Sequence, residues 1–125
     1  MKELIFAVDF DGTCVTHEYP MIGKDIGAVP VLQKISKSNK IILYTMRDGK
    51  FLDDAVEWFS DNNIPLFGIN DNPEQYAWTS SRKVYANFII DDTAIGCPLV
   101  YQDEFQRPYV DWNKIEQFLL MRKLI

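Results

Sequence analysis

Asp9 and Asp11 stand one residue apart where a short apolar run ends, in the order Val8-Asp9-Phe10-Asp11-Gly12-Thr13. Two carboxylates this close repel, and each resists ionising unless a cation sits between them. A hard divalent ion such as Mg²⁺ suits them, because it takes oxygen ligands and keeps waters that a phosphate can displace. Gly12 lets the chain turn sharply directly after the second acid. The plainer alternative is a solvated acidic turn, since Asp and Gly are common turn residues.

Other apolar runs also end in polar residues. Thr45 closes one, with Arg47 and Asp48 close behind it, and Asp91-Asp92 closes another that follows Lys83. Singly, each has an ordinary explanation: a strand-end hydroxyl, a surface cation, or an acidic helix start. Gathered on one sheet edge, they supply carboxylates, a hydroxyl, an ammonium and a metal site. That is the inventory of phosphoryl transfer.

Strand and helix patterns alternate in a way that would gather them there. Residues 4–8, 40–45, 65–69 and 87–92 read as strands, short and rich in β-formers, with a further strand at 99–101. Helices are expected at 29–38, with Pro30 in its first turn, at 50–62 behind Asp48 as N-cap, and from Asp111 as cap to 123. Val29, Leu32 and Ile35 share one helical face, as do Leu52, Ala55, Val56 and Phe59 in the next helix. Ile115, Phe118, Leu119 and Arg122 fall in register in the last. Such alternation implies an α/β fold, a three-layer αβα sandwich around a Rossmann-like, mostly parallel sheet. Chemistry then belongs beyond the carboxyl ends of the strands.

The 125 residues suit a single domain spanning 1–125, and 47% apolar content is that of a globular protein. Thirteen basic against eighteen acidic residues give a net charge of -5, which argues against general nucleic-acid affinity. Only five apolar residues stand between Met1-Lys2-Glu3 and Asp9, too few for a signal peptide or a membrane span. The two cysteines, Cys14 and Cys97, suit a reduced cytoplasm. Cys14 and His17 have metal-ligand spacing, but a tetrahedral zinc site needs more ligands than lie nearby.

In order and character, these motifs resemble the haloacid dehalogenase-like (HAD) hydrolase superfamily over roughly residues 4–96. Asp9-Phe10-Asp11-Gly12-Thr13 is similar to its first motif and Ile42-Leu43-Tyr44-Thr45 to its second. Lys83 resembles the third-motif lysine, and Ile89-Ile90-Asp91-Asp92 the acidic fourth. No proline or glycine follows Lys83, so Arg82 competes for that role. The resemblance implies a Mg²⁺-dependent phosphohydrolase in which Asp9 is the nucleophile and Asp11 the general acid and base. It implies Mg²⁺ on the Asp9 and Asp92 carboxylates and the Asp11 carbonyl. Asp91 would support that site. Thr45 and neighbouring backbone N–H groups, Gly12 beside them, would hold the phosphoryl group, Lys83 would neutralise it, and Arg47 is a candidate substrate contact whose plainer reading is a surface or ion-pairing arginine.

About thirty residues separate the first two motifs, which leaves no room for an inserted cap. A capless site is open, so water exclusion would fall to the substrate, a partner subunit, or the loop carrying Tyr76 and Trp78. The expected partner is a phosphorylated small molecule or macromolecule, with nucleic acid only as a substrate. Two rivals share the scaffold: a catalytically idle binding domain and a receiver-like signalling module. A nucleotide-dependent kinase is disfavoured further, since the sequence has no P-loop run and Gly23-Lys24-Asp25 lacks both the earlier glycine and the hydroxyl.

Overall fold

In the computed structural model, which describes residues 2–102 and 106–125, the first apolar run is β1 (Ile5–Val8). It pairs in parallel with β2 (Lys40–Leu43) on one side and with β4 (Phe88–Ile90) on the other. β3 (Gly68–Ile69) extends the sheet beyond β2, giving the all-parallel order β3-β2-β1-β4. Three helices complete the α/β fold: α1 (Ala28–Ser36), α2 (Gly49–Asp61) and α3 (Trp112–Met121). No folded cap interrupts the described residues between Asp11 and Lys83. The strand order differs from the 2-1-3-4-5 of receiver domains.

Crossover handedness explains the layers. Steps from β1 to β2 to β3 run in one direction, so right-handed connections put α1 and α2 on the same face. There Phe6, Val8, Ile41 and Leu43 join Leu32 and Ile35 of α1, Phe59 of α2 and Leu119 of α3 in one core cluster. Each such side chain, fully buried, contributes roughly 1.5–3 kcal/mol. The return from β3 to β4 passes over the opposite face, where Ala7 and Ile42 are also buried. This layer is an irregular segment with one short 3₁₀ turn at Gln75–Ala77 rather than a long helix. Gly68, opposite Ile42, is required there because a Cβ would strike the Asp71 carbonyl.

Helix positions match the sequence expectations to within two residues. Asp111 caps α3 by accepting from the Lys114 amide at 3.2 Å. Asp48 occupies the N-cap of α2, but its side chain makes no capping bond. The strand expected at 65–69 shortens to β3, with the Phe67 amide just before it already donating to the Ile41 carbonyl of β2 at 2.7 Å. The expected strand at 99–101 is β5 (Leu99–Val100), and it lies outside the main sheet. It pairs antiparallel with β6 (Tyr109–Val110), an element too short to show a period in the sequence. No helix among the described residues is long and apolar enough to cross a membrane.

Candidate functional site

Parallel pairing of β1 with β4 delivers two acidic turns to one edge, since Val8 lies opposite Ile90. Asp9 follows the first and Asp91-Asp92 the second. The Asp9 amide extends the ladder to the Ile90 carbonyl at 3.0 Å. One carboxylate oxygen from each of Asp9, Asp91 and Asp92 lies within 4.8 Å of the others. Burial, reinforced by the neighbouring Asp91 and Asp92, pushes the Asp9 carboxyl up to about 8, although the Thr13 hydroxyl works against this. A divalent ion among three oxygen ligands would relieve that repulsion, so the donor set suits a hard cation.

The turn after β1 is braced from below. Thr13 is fully buried, and its hydroxyl donates to Asp9 Oδ2 at 2.8 Å and accepts from the Asp92 amide at 3.1 Å. Gly12 adopts φ +81°, and its missing side chain makes room for the Asp92 carboxyl, which a Cβ would strike. The C-terminal segment holds this turn in place. The Val110 amide donates to the Gly12 carbonyl at 3.1 Å, and Trp112 Nε1 donates to the Thr13 carbonyl at 2.7 Å.

Thr45 lies beside Asp9, in the wall of two adjoining clefts of about 430 and 340 Å³. Asn70 holds it with a paired amide contact, its Oδ1 accepting from the Thr45 amide at 2.8 Å and its Nδ2 donating to the Thr45 carbonyl at 2.9 Å. The Thr45 hydroxyl accepts from the Arg47 amide at 3.1 Å, which leaves its own proton for a ligand in the cleft.

Of the two readings of Arg47, the structure shows the ion-pairing one. It is 2% exposed and grips Asp11 through Nε at 2.8 Å and Nη2 at 2.7 Å. Its remaining donors reach the carbonyls of Pro20, Met21 and Phe51. All five N–H groups are thereby satisfied, so Arg47 is a clamp on Asp11 and not a free substrate contact. The Asp11 carboxylate consequently stands outside the acidic trio, whose third member is Asp91.

Two further expectations are corrected. Lys83 and Arg82 are both exposed, and neither lines a cleft that contains Asp9. They sit in the irregular return from β3 to β4, which lacks the helix that would aim a side chain at the strand ends. Tyr76 and Trp78 are 62% and 66% exposed and also line neither cleft. The larger cleft is walled instead by His17, Tyr19 and Arg107. The sequence assigned no site role to these, nor to Thr13 and Asn70: Thr13 stands in the first motif and His17 at metal-ligand spacing from Cys14, but Tyr19, Arg107 and Asn70 have no spacing that announces them. Cys14 is buried with its thiol pushed up by burial and by Asp9, and it donates to the Asp9 carbonyl at 3.3 Å. Such a thiol is unreactive.

Fold and site together define a small α/β protein with a parallel sheet and an acidic cluster at its carboxyl edge. A solved structure, of the conserved protein coded by a locus of Bacteroides thetaiotaomicron, matches with a TM-score of 0.75 and 34% identity over 98% of this chain and 93% of that one. The chain belongs to the same family as that conserved protein. No protein-family model matches the chain, and no curated protein does.

Proposed function

We propose that the chain is a capless HAD-like phosphohydrolase that cleaves phosphate monoesters with the aid of Mg²⁺. One observation carries this reading: carboxylate oxygens of Asp9, Asp91 and Asp92, from two separate strand ends, converge within 4.8 Å of one another. Those carboxylates, with the Asp11 carbonyl, would hold the ion, and its charge would favour the ionised form of Asp9 and offset the negative phosphoryl oxygens. Asp9 attacks phosphorus, and its oxygen–phosphorus bond forms as the ester bond breaks. The leaving oxygen keeps the electron pair and takes a proton from Asp11. Water then adds to phosphorus, gives its proton to Asp11, and the bond to Asp9 breaks to release inorganic phosphate. Thr45 donates its free hydroxyl proton to a phosphoryl oxygen. Proton donation by Asp11 requires one of its two bonds to Arg47 to open.

Two features favour a second reading, an ion-binding domain without turnover: the clamp on Asp11 and the exposure of Lys83. Purified protein assayed with p-nitrophenyl phosphate and a panel of phosphorylated metabolites separates the two. The hydrolase reading expects Mg²⁺-dependent release of phosphate that vanishes in a folded Asp9→Asn variant. Absence of turnover on every substrate by folded wild-type protein would leave the ion-binding domain.

A further inference from the structure

Charge arithmetic at the acidic edge leaves a cation to be found. Asp9, Asp91 and Asp92 bring three negative charges, a divalent ion returns two, and a phosphate monoester adds up to two more negative charges. An arrangement so negative binds phosphate poorly unless a side-chain cation joins it. Arg47 is not available, because Asp11 and three carbonyls use all its donors. Lys83 and Arg82 line neither cleft.

Arg107 remains. It lines the same cleft as Asp9 and Thr45, and its Nη2 lies 3.9 Å from Asp92 Oδ2. Its side chain is 56% exposed, and it donates no hydrogen bond to a described residue. The fold aims it there: it lies just before β6, whose Val110 amide is bonded to the Gly12 carbonyl beneath the site. A guanidinium that lines a cleft beside a carboxylate of the acidic trio brings a planar fork suited to two phosphoryl oxygens.

We infer that Arg107 is the catalytic cation that grips the transferring phosphoryl group, in place of a lysine ahead of the acidic strand end. The assignment rests on the phosphohydrolase reading. Arg107 makes no bond and moves no proton; it holds negative charge on the oxygens as the bond to Asp9 forms.

Three variants test it: Arg107→Ala, Arg107→Lys and, as the comparator, Lys83→Ala. Two readouts are needed, turnover of p-nitrophenyl phosphate with Mg²⁺ and calorimetric binding of inorganic phosphate with Mg²⁺. Arg107→Ala should lose roughly 100-fold in kcat/KM and bind phosphate more weakly. Arg107→Lys should recover part of both, and Lys83→Ala should match wild type. Turnover and phosphate binding that survive Arg107→Ala, or that fall instead with Lys83→Ala, overturn the assignment alone. A wild-type protein that turns nothing over overturns the phosphohydrolase reading. Its phosphate affinity then still decides whether Arg107 meets the anion.

Discussion

The Arg47 guanidinium closes on the Asp11 carboxylate with two parallel hydrogen bonds, 2.8 and 2.7 Å long, across 36 residues of sequence. The same group lies over the rings of Phe10 and Tyr19, at 5.0 and 5.2 Å from their centroids. It therefore ties the turn after β1, the 19–21 loop and the start of α2 into one unit. A buried pair of this kind is costly to half-remove, because the surviving charge is left without a partner.

Arg47→Ala should accordingly destabilise the protein by about 3–5 kcal/mol. Arg47→Lys should recover little, since a point charge cannot span both Asp11 oxygens and three carbonyls. Urea unfolding of the three proteins measures this. A loss below about 1 kcal/mol, the worth of a surface pair, would show that the clamp is dispensable.

Gly12→Ala tests the packing at the base of the acidic cluster. The new methyl group must displace the Asp92 carboxyl, and the φ of +81° strains any residue with a Cβ. The backbone term alone costs about 1–2 kcal/mol. The expected result is a folded protein with weakened Mg²⁺ affinity, read by calorimetry. Unchanged affinity would mean that Asp92 takes no part in holding the ion.

The pH dependence follows from Asp9, whose carboxyl rises from an ordinary 3.8 to about 8 in the folded protein. Between those values the folded state holds a proton that the unfolded state has released. The stability this group contributes is full below about 3.8 and is lost as pH rises through about 8. Asp9→Asn has no such proton to lose. In EDTA, the Tm of the variant should gain on wild type steadily from pH 4 to pH 8, two pH values chosen for the melting series. Parallel melting curves would contradict the raised Asp9.

Mg²⁺ should stabilise the wild-type protein by about 2.7 kcal/mol at an ion concentration near 100 times Kd. EDTA should reverse the gain, and Asp92→Asn should remove most of it. Differential scanning fluorimetry reads the shift directly. An equal shift in wild type and Asp92→Asn would place the ion elsewhere.

Much of this architecture was legible in one dimension. Short apolar runs ending in Asp9, Thr45 and Asp91-Asp92 predict strands whose ends carry polar groups, because burial and β-propensity are local properties. Helix starts were legible for the same reason, as Asp111 shows by capping α3. A two-residue pairing such as β5 with β6 has no period to detect, because each strand is too short to alternate.

The site divides along the same line. The acidic strand ends and the turn at Gly12 were legible in sequence, since apolar runs and turn residues are local signals, whereas the fold decided that Asp91 and not the Asp11 carboxylate completes the trio. Which cation serves which acid was a tertiary decision. Arg47 pairs with Asp11 in particular, Lys83 resembled a third-motif lysine and lies outside the clefts, and Arg107 reaches Asp92 from a segment with no motif. Charges act through space over a few ångströms, and long side chains choose partners by which elements the sheet order makes neighbours. That order, β3-β2-β1-β4, exists only once the chain has folded.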